Sequence, residues 1–197
     1  MNQFESNSIP ADNNTLLYKW FGHLVQLQIF RILIIILSAI PVTNPLAVWL
    51  GRLASALSIF ILLRLSAANQ RYRKAALFLG IYLAGNLISA VARSNAFSML
   101  FSICSVIAMY QEYWGHSEIC VSKDYPLSEK WHSLFWWQMG IGLISSFLMA
   151  AGVVIGVLAG VEETILTNLM IVLIAIISIV LELVALGLLK KTRGLCQ

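Results

Sequence analysis

The chain has 197 residues, of which 59% are hydrophobic and 11% charged, and its formal charge is +4. Soluble domains are about 45–50% apolar and about 25% charged, and disordered chains are poor in large apolar residues, so both classes are excluded. No basic face stands beside a soluble core, which excludes a nucleic-acid binder. The composition is that of an all-α, polytopic integral membrane protein with the lipid bilayer as its first partner.

Residues 1–14 are polar, carry Glu5 and Asp12, and lack the basic start and cleavage site of a secretory signal; they are expected to form a disordered cytoplasmic tail. In 15–26, Leu16, Leu17, Trp20, Phe21 and Leu24 recur at helical spacing with Lys19 and His23 off the stripe. That pattern predicts an interfacial lead-in. Apolar stretches then follow at 24–40, 46–65, 75–92, 96–110, 136–160 and 165–189, against the about 20 residues needed to cross the hydrocarbon core. The two prolines of 41–45 (PVTNP) predict a turn after the first stretch. The polar run Asn69-Gln70-Arg71-Tyr72-Arg73-Lys74 and the break Arg93-Ser94-Asn95 separate later ones.

The fourth stretch is short, about 22 Å as a helix, and charge decides whether it crosses. With six spans, ten of the thirteen basic residues fall on one side: Lys19, Arg64, Arg71, Arg73, Lys74, Lys123, Lys130, Lys190, Lys191 and Arg193. The other side holds only Arg93, and without the fourth crossing the bias vanishes. Basic loops stay on the cytoplasmic side. The expectation is therefore a single domain over 15–189, built as three helical hairpins with both termini cytoplasmic. It would have a cytoplasmic loop at 111–133 and a basic tail at 190–197. All six tryptophans (Trp20, Trp49, Trp114, Trp131, Trp136 and Trp137) fall near a span end, where indole rings favour the headgroup level. The inner (plasma) membrane of a bacterium is the expected location. Cys104 lies in a span and Cys120 and Cys196 on the reducing side, so no disulfide is expected.

Small residues repeat at four-residue spacing: Gly152, Gly156 and Gly160, then Gly142, Ser146 and Ala150, and in the third span Gly80 with Ala84 and Gly85 with Ser89. Such rows let helix backbones approach in lipid. The first row is the candidate face for packing within the chain or for a homo-oligomer.

Charges within the hydrocarbon are costly and mark functional sites. Arg31 and Glu182 stand at matched depths, about 10 Å from the inner ends of the first and last spans, and are expected to pair. Arg52 is expected to reach the outer headgroups or Glu162 and Glu163, and Asn86 to find an interhelical partner or a wet cavity. Arg31, Glu182, Asn86 and Arg52 are the candidate solute or ion pathway.

In 111–133, Glu112, His116 and Cys120 would share a face if the fourth helix continued inward, with His132 beyond the turn. These are the residues a metal would have to use, but Gly115 interrupts them and no CxxC or HExxH motif is present, so neither metal nor cofactor is expected. Pro126 suits a helix first turn and predicts a helix of about 35 residues running into the fifth span. The aromatic group Tyr113, Trp114, Trp131 and Trp136 would then form an inner cap or a surface for a membrane or cytoplasmic protein. Phosphate loops, nucleophile elbows and channel filters are absent, and no catalytic constellation can be assembled, so an enzyme is not expected. Two functions remain: movement of a small solute or ion, and a non-transporting accessory, immunity or sensory module acting through 111–137.

Overall fold

A computed structural model describes residues 11–92, 95–159 and 163–197, with side chains for 14–40, 42–92, 100–147, 151 and 170–197. The described residues are helical: α1 (Ala11–Ser38), α2 (Asn44–Leu65), α3 (Gln70–Ala92), α4 (Asn95–Val121), α5 (Tyr125–Ala159) and α6 (Glu163–Gly194). Helices satisfy every backbone group within one segment, as lipid requires. The connections between described elements are correspondingly short. The PVTNP segment becomes a 3-10 turn over Pro41–Thr43, closed by Thr43 Oγ1 donating to the Leu37 carbonyl at 2.5 Å. Asn69 caps α3 by accepting the Arg71 N–H at 2.8 Å, and Asp124 caps α5 by accepting the Leu127 N–H at 3.0 Å.

Each helix packs on its sequence neighbours, and α6 returns to pack on α1, so the six close into a ring. Among the described residues, α1, α2, α3 and α6 are long and apolar enough to cross a membrane. The apolar halves of α4 and α5 include residues whose side chains are not described.

Among the described residues, the core lies mainly at one end of the ring. It takes Leu17, Phe21 and Leu24 from the first half of α1 and Ile61, Leu62 and Leu65 from the end of α2. Tyr72, Ala75 and Ala76 come from the start of α3, Ile119 and Cys120 from the end of α4, Leu127, Trp131 and Leu134 from the start of α5, and Leu188 and Leu189 from the end of α6. Odd helices contribute their starts and even helices their ends, so the six alternate in direction. This packed end is also the one that carries Lys19, Arg64, Arg71, Lys123 and Lys190.

Several sequence expectations change here. Helix α1 begins at Ala11, inside the segment expected to be disordered, and residues 1–10 lie outside the described residues. The lead-in stripe does not lie on a membrane surface: Leu17, Phe21 and Leu24 are buried in the bundle. The expected loop 111–133 is mostly helix, broken only at 122–124, because α4 runs through Gly115. The Tyr72 ring fills the space beside that glycine, with Cε1 3.0 Å from where a Cβ would stand. The tail at 190–197 is helical to Gly194, and its Thr192 and Cys196 are buried. The 35-residue α5 has the length and the start that Pro126 implies.

The two small-residue pairs of α3 behave differently. A Cβ at Gly85 would run into the ring of Phe101 on α4, whereas one at Gly80 would meet nothing within 4 Å. Gly85 thus lets α3 and α4 approach, and Gly80 lies over a groove. Gly152 and Gly156 fall in the part of α5 without described surroundings, and Gly160 lies outside the described residues. Overpacking costs about 1–3 kcal/mol, so Gly85→Ala is expected to lower the thermal midpoint of the detergent-solubilised protein while Gly80→Ala leaves it in place. Differential scanning fluorimetry of the two variants checks this.

Candidate functional site

Two layers of polar groups occupy the packed half of the ring. The lower centres on His116 of α4, which is 1% exposed. Its Nδ1 shares a hydrogen bond of 2.8 Å with the Tyr72 hydroxyl, and its Nε2 lies 3.7 Å from Oε1 of Glu112 one turn back. Phe21, Tyr72 and Trp131 pack their rings around the imidazole, with centroids 5.3, 5.4 and 4.5 Å away. The Trp131 indole N–H donates to Thr192 Oγ1 at 3.1 Å, and the Cys120 thiol meets the same hydroxyl at 3.4 Å. Cys196 donates its thiol hydrogen to the Thr192 carbonyl at 3.4 Å. Ser117 and Ser128 join α4 to α5 at 2.7 Å. Burial pushes the thiols of Cys120 and Cys196 above their ordinary range, which keeps both protonated and poorly nucleophilic.

The upper layer lies about two helical turns further from the packed end. Gln28 of α1 donates to the Glu182 carboxylate and to the Glu182 backbone carbonyl, the latter at 3.3 Å. Arg31, a turn beyond Gln28, donates through Nη2 to Ser58 Oγ on α2 at 2.6 Å, and Ser58 donates on to the Ala54 carbonyl. The Tyr113 hydroxyl donates to Gln138 Oε1 of α5 at 2.9 Å. One cation, one carboxylate and two amides from three helices therefore stand close in depth, a set suited to holding a small polar or charged solute if the helices part.

The first and last spans do meet at Glu182. Its partner from α1 is Gln28, however, and among the described residues no ion pair joins Arg31 to Glu182. Arg52 covers the Trp49 ring, its guanidinium carbon 4.6 Å from the centroid. Glu162 and the Glu163 side chain lie outside the described residues. Asn86 donates to the Tyr82 carbonyl of its own helix at 3.2 Å and, among the described residues, bridges no helices.

The aromatic group does not form one surface. Tyr113 and Trp131 are core residues, Trp114 stacks on His132 at 4.1 Å, and only Trp136, 65% exposed, faces outward. The four residues set aside for a metal likewise disperse. Glu112 and His116 stay close, but Cys120 turns to Thr192 and His132 to Trp114. Among the described residues no group of three such side chains converges.

Sequence reading passed over Gln28, Ser58, Tyr72, Gln138 and Thr192. Gln28 and Gln138 carried a usable signal, since amides near or within apolar stretches need partners as Asn86 does. Nothing in the sequence marked Thr192.

No protein-family model, curated protein or solved structure matches the chain.

Leaving a buried acceptor or donor unpaired costs about 1–3 kcal/mol. Tyr72→Phe, which strands His116 Nδ1, should therefore lower the thermal midpoint clearly. Tyr18→Phe removes a hydroxyl that only accepts an exposed bond from Gln197 and should not. Thermal melts of both proteins in the same detergent provide the comparison.

Proposed function

We propose that the chain is a six-span plasma-membrane protein, both ends cytoplasmic, that moves a small solute or ion through the layer holding Arg31 and Glu182. One observation carries the reading. A carboxylate and a guanidinium in membrane-crossing helices each rest on a neutral partner, Gln28 and Ser58, instead of on each other. A pair kept only for stability gains most by closing on itself, because mutual attraction is what offsets desolvation. Among the described residues Arg31 and Glu182 share neither a hydrogen bond nor an ion pair, and charged residues within the membrane are the usual mark of an ion or substrate path. On this reading the aromatic packing around His116 is the closed inner end, and passage requires α1 to part from α6 where Gln28 caps Glu182.

The module reading has less in its favour, since half of its surface, Tyr113 and Trp131, is buried. Among the described residues, cavities of about 400 and 360 Å³ lie between α1 and α2 and between α5 and α6, and neither Glu182 nor Asn86 lines them.

The topology is checked with Ser94→Cys and Ser122→Cys, each placed in a chain carrying Cys104→Ala, Cys120→Ala and Cys196→Ala. An impermeant maleimide on intact cells should label the first and reach the second only after permeabilisation. Labelling of both from outside would overturn the six-span arrangement. For function, the purified protein is reconstituted with entrapped proton- or potassium-sensitive dye. Wild-type vesicles should leak or exchange faster than empty ones in a pH-dependent way, and Glu182→Gln should bring the rate to the empty-vesicle level. Equal rates for the two proteins would remove Glu182 from the mechanism.

A further inference from the structure

A groove of about 690 Å³ lies between α2 and α3. Its α3 wall is a single stripe, from Gln70, Arg73 and Lys74 through Leu77 and Gly80 to Ala84. The stripe is about 21 Å long, compared with about 15 Å for half the hydrocarbon core. Ile59 and Leu63 of α2 form the facing wall. The groove is therefore cationic at the packed end and apolar along the rest of its length. Gly80 keeps its floor open.

The two cations are uncompensated. Arg71 is taken by Glu118 at 2.5 Å, with Asn69 on the same carboxylate at 2.8 Å. Arg73 and Lys74, both exposed, have no hydrogen-bond or ion-pair partner among the described residues. They sit at the start of α3, Arg73 in its first turn and Lys74 just beyond it, where the helix dipole adds further positive potential. Basic pockets between membrane helices at the cytoplasmic side attract anionic headgroups. A zwitterionic lipid would bring a third cation to the same place.

We propose that this groove binds one anionic phospholipid from the leaflet at the packed end. Its phosphate sits on Arg73 and Lys74, and one acyl chain lies along Leu77, Gly80 and Ala84. The site depends on membrane insertion of α2 and α3 and not on transport.

Native mass spectrometry of the full chain in detergent, titrated with palmitoyl-oleoyl phosphatidylglycerol or phosphatidylcholine, tests it. The wild type should retain one phosphatidylglycerol about tenfold more tightly than phosphatidylcholine. The double variant Arg73→Gln, Lys74→Gln should lose that preference. Lys190→Gln with Lys191→Gln, the same charge change at the same end but outside the groove, should keep it. Gly80→Leu, whose Cβ has open space around it, fills the floor and should weaken phosphatidylglycerol while all charges remain. Equal retention of both lipids by the wild type, equal loss in both double variants, or no effect of Gly80→Leu would each overturn the groove. So would a second copy of the chain held there in place of lipid. Retention of no lipid at all would count against membrane insertion as well.

Discussion

A buried imidazole must be solvated by protein, and at His116 that requirement draws most of the ring together. Tyr72 reaches it from α3, Glu112 stands a turn away on α4, and Phe21 and Trp131 close over it from α1 and α5. Trp131 then passes the constraint to α6 through Thr192. Helices in lipid gain little by hiding apolar surface from one another, so close packing and hydrogen bonds must hold them. The dense end of this bundle is where such bonds and aromatic contacts accumulate. Helix α2 enters mainly by apolar packing, through Ile61, Leu62 and Leu65.

The depth of each polar group follows from this anchoring. With Phe21 and Trp131 fixed at the packed end, Gln28 and Gln138 are each carried seven residues further along their helices, about 10 Å. Glu182 is likewise set back from Thr192. The charges are thus held by rigid helices and not by loops, at a level where water is scarce and each must have a partner. Because the partners are neutral, the local charge balance can change without first breaking an ion pair.

What the sequence discloses is what depends on local chemistry. The turn at 41–45, the helix starting at Pro126 and the apolar lengths of α1, α2, α3 and α6 all follow from prolines, caps and hydropathy within a few residues. That the first and last helices meet at Glu182 was also legible, because depth is a count along the helix, although the partner from α1 is Gln28 and not Arg31. Angular position is a separate matter: Gln28 and Arg31 point to different neighbours although only three residues apart, and no count reveals which one faces α6. The stripe Leu17, Phe21 and Leu24 looked interfacial because a face buried against lipid and a face buried against protein have the same periodicity. Helix α4 looked interrupted at Gly115 because the ring that seats there, Tyr72, lies 43 positions away in sequence.

The same consideration explains why charge was more informative than hydrophobicity. Apolar residues place the chain in a bilayer but say little about which helices touch. Of the basic cluster at the start of α3, Arg71 finds Glu118 inside the protein, while Arg73 and Lys74 meet no anion among the described residues. On its other side α3 is drawn tightly against α4, where Gly85 admits the Phe101 ring. A helix pulled close to one neighbour is free to stand off from the other, and the groove toward α2 opens on the side where the cations are unmatched. A surplus of positive charge that the described residues do not balance internally is free to meet an anion at the bilayer surface, so the same charges that mark this end of the bundle also determine where a lipid headgroup would dock.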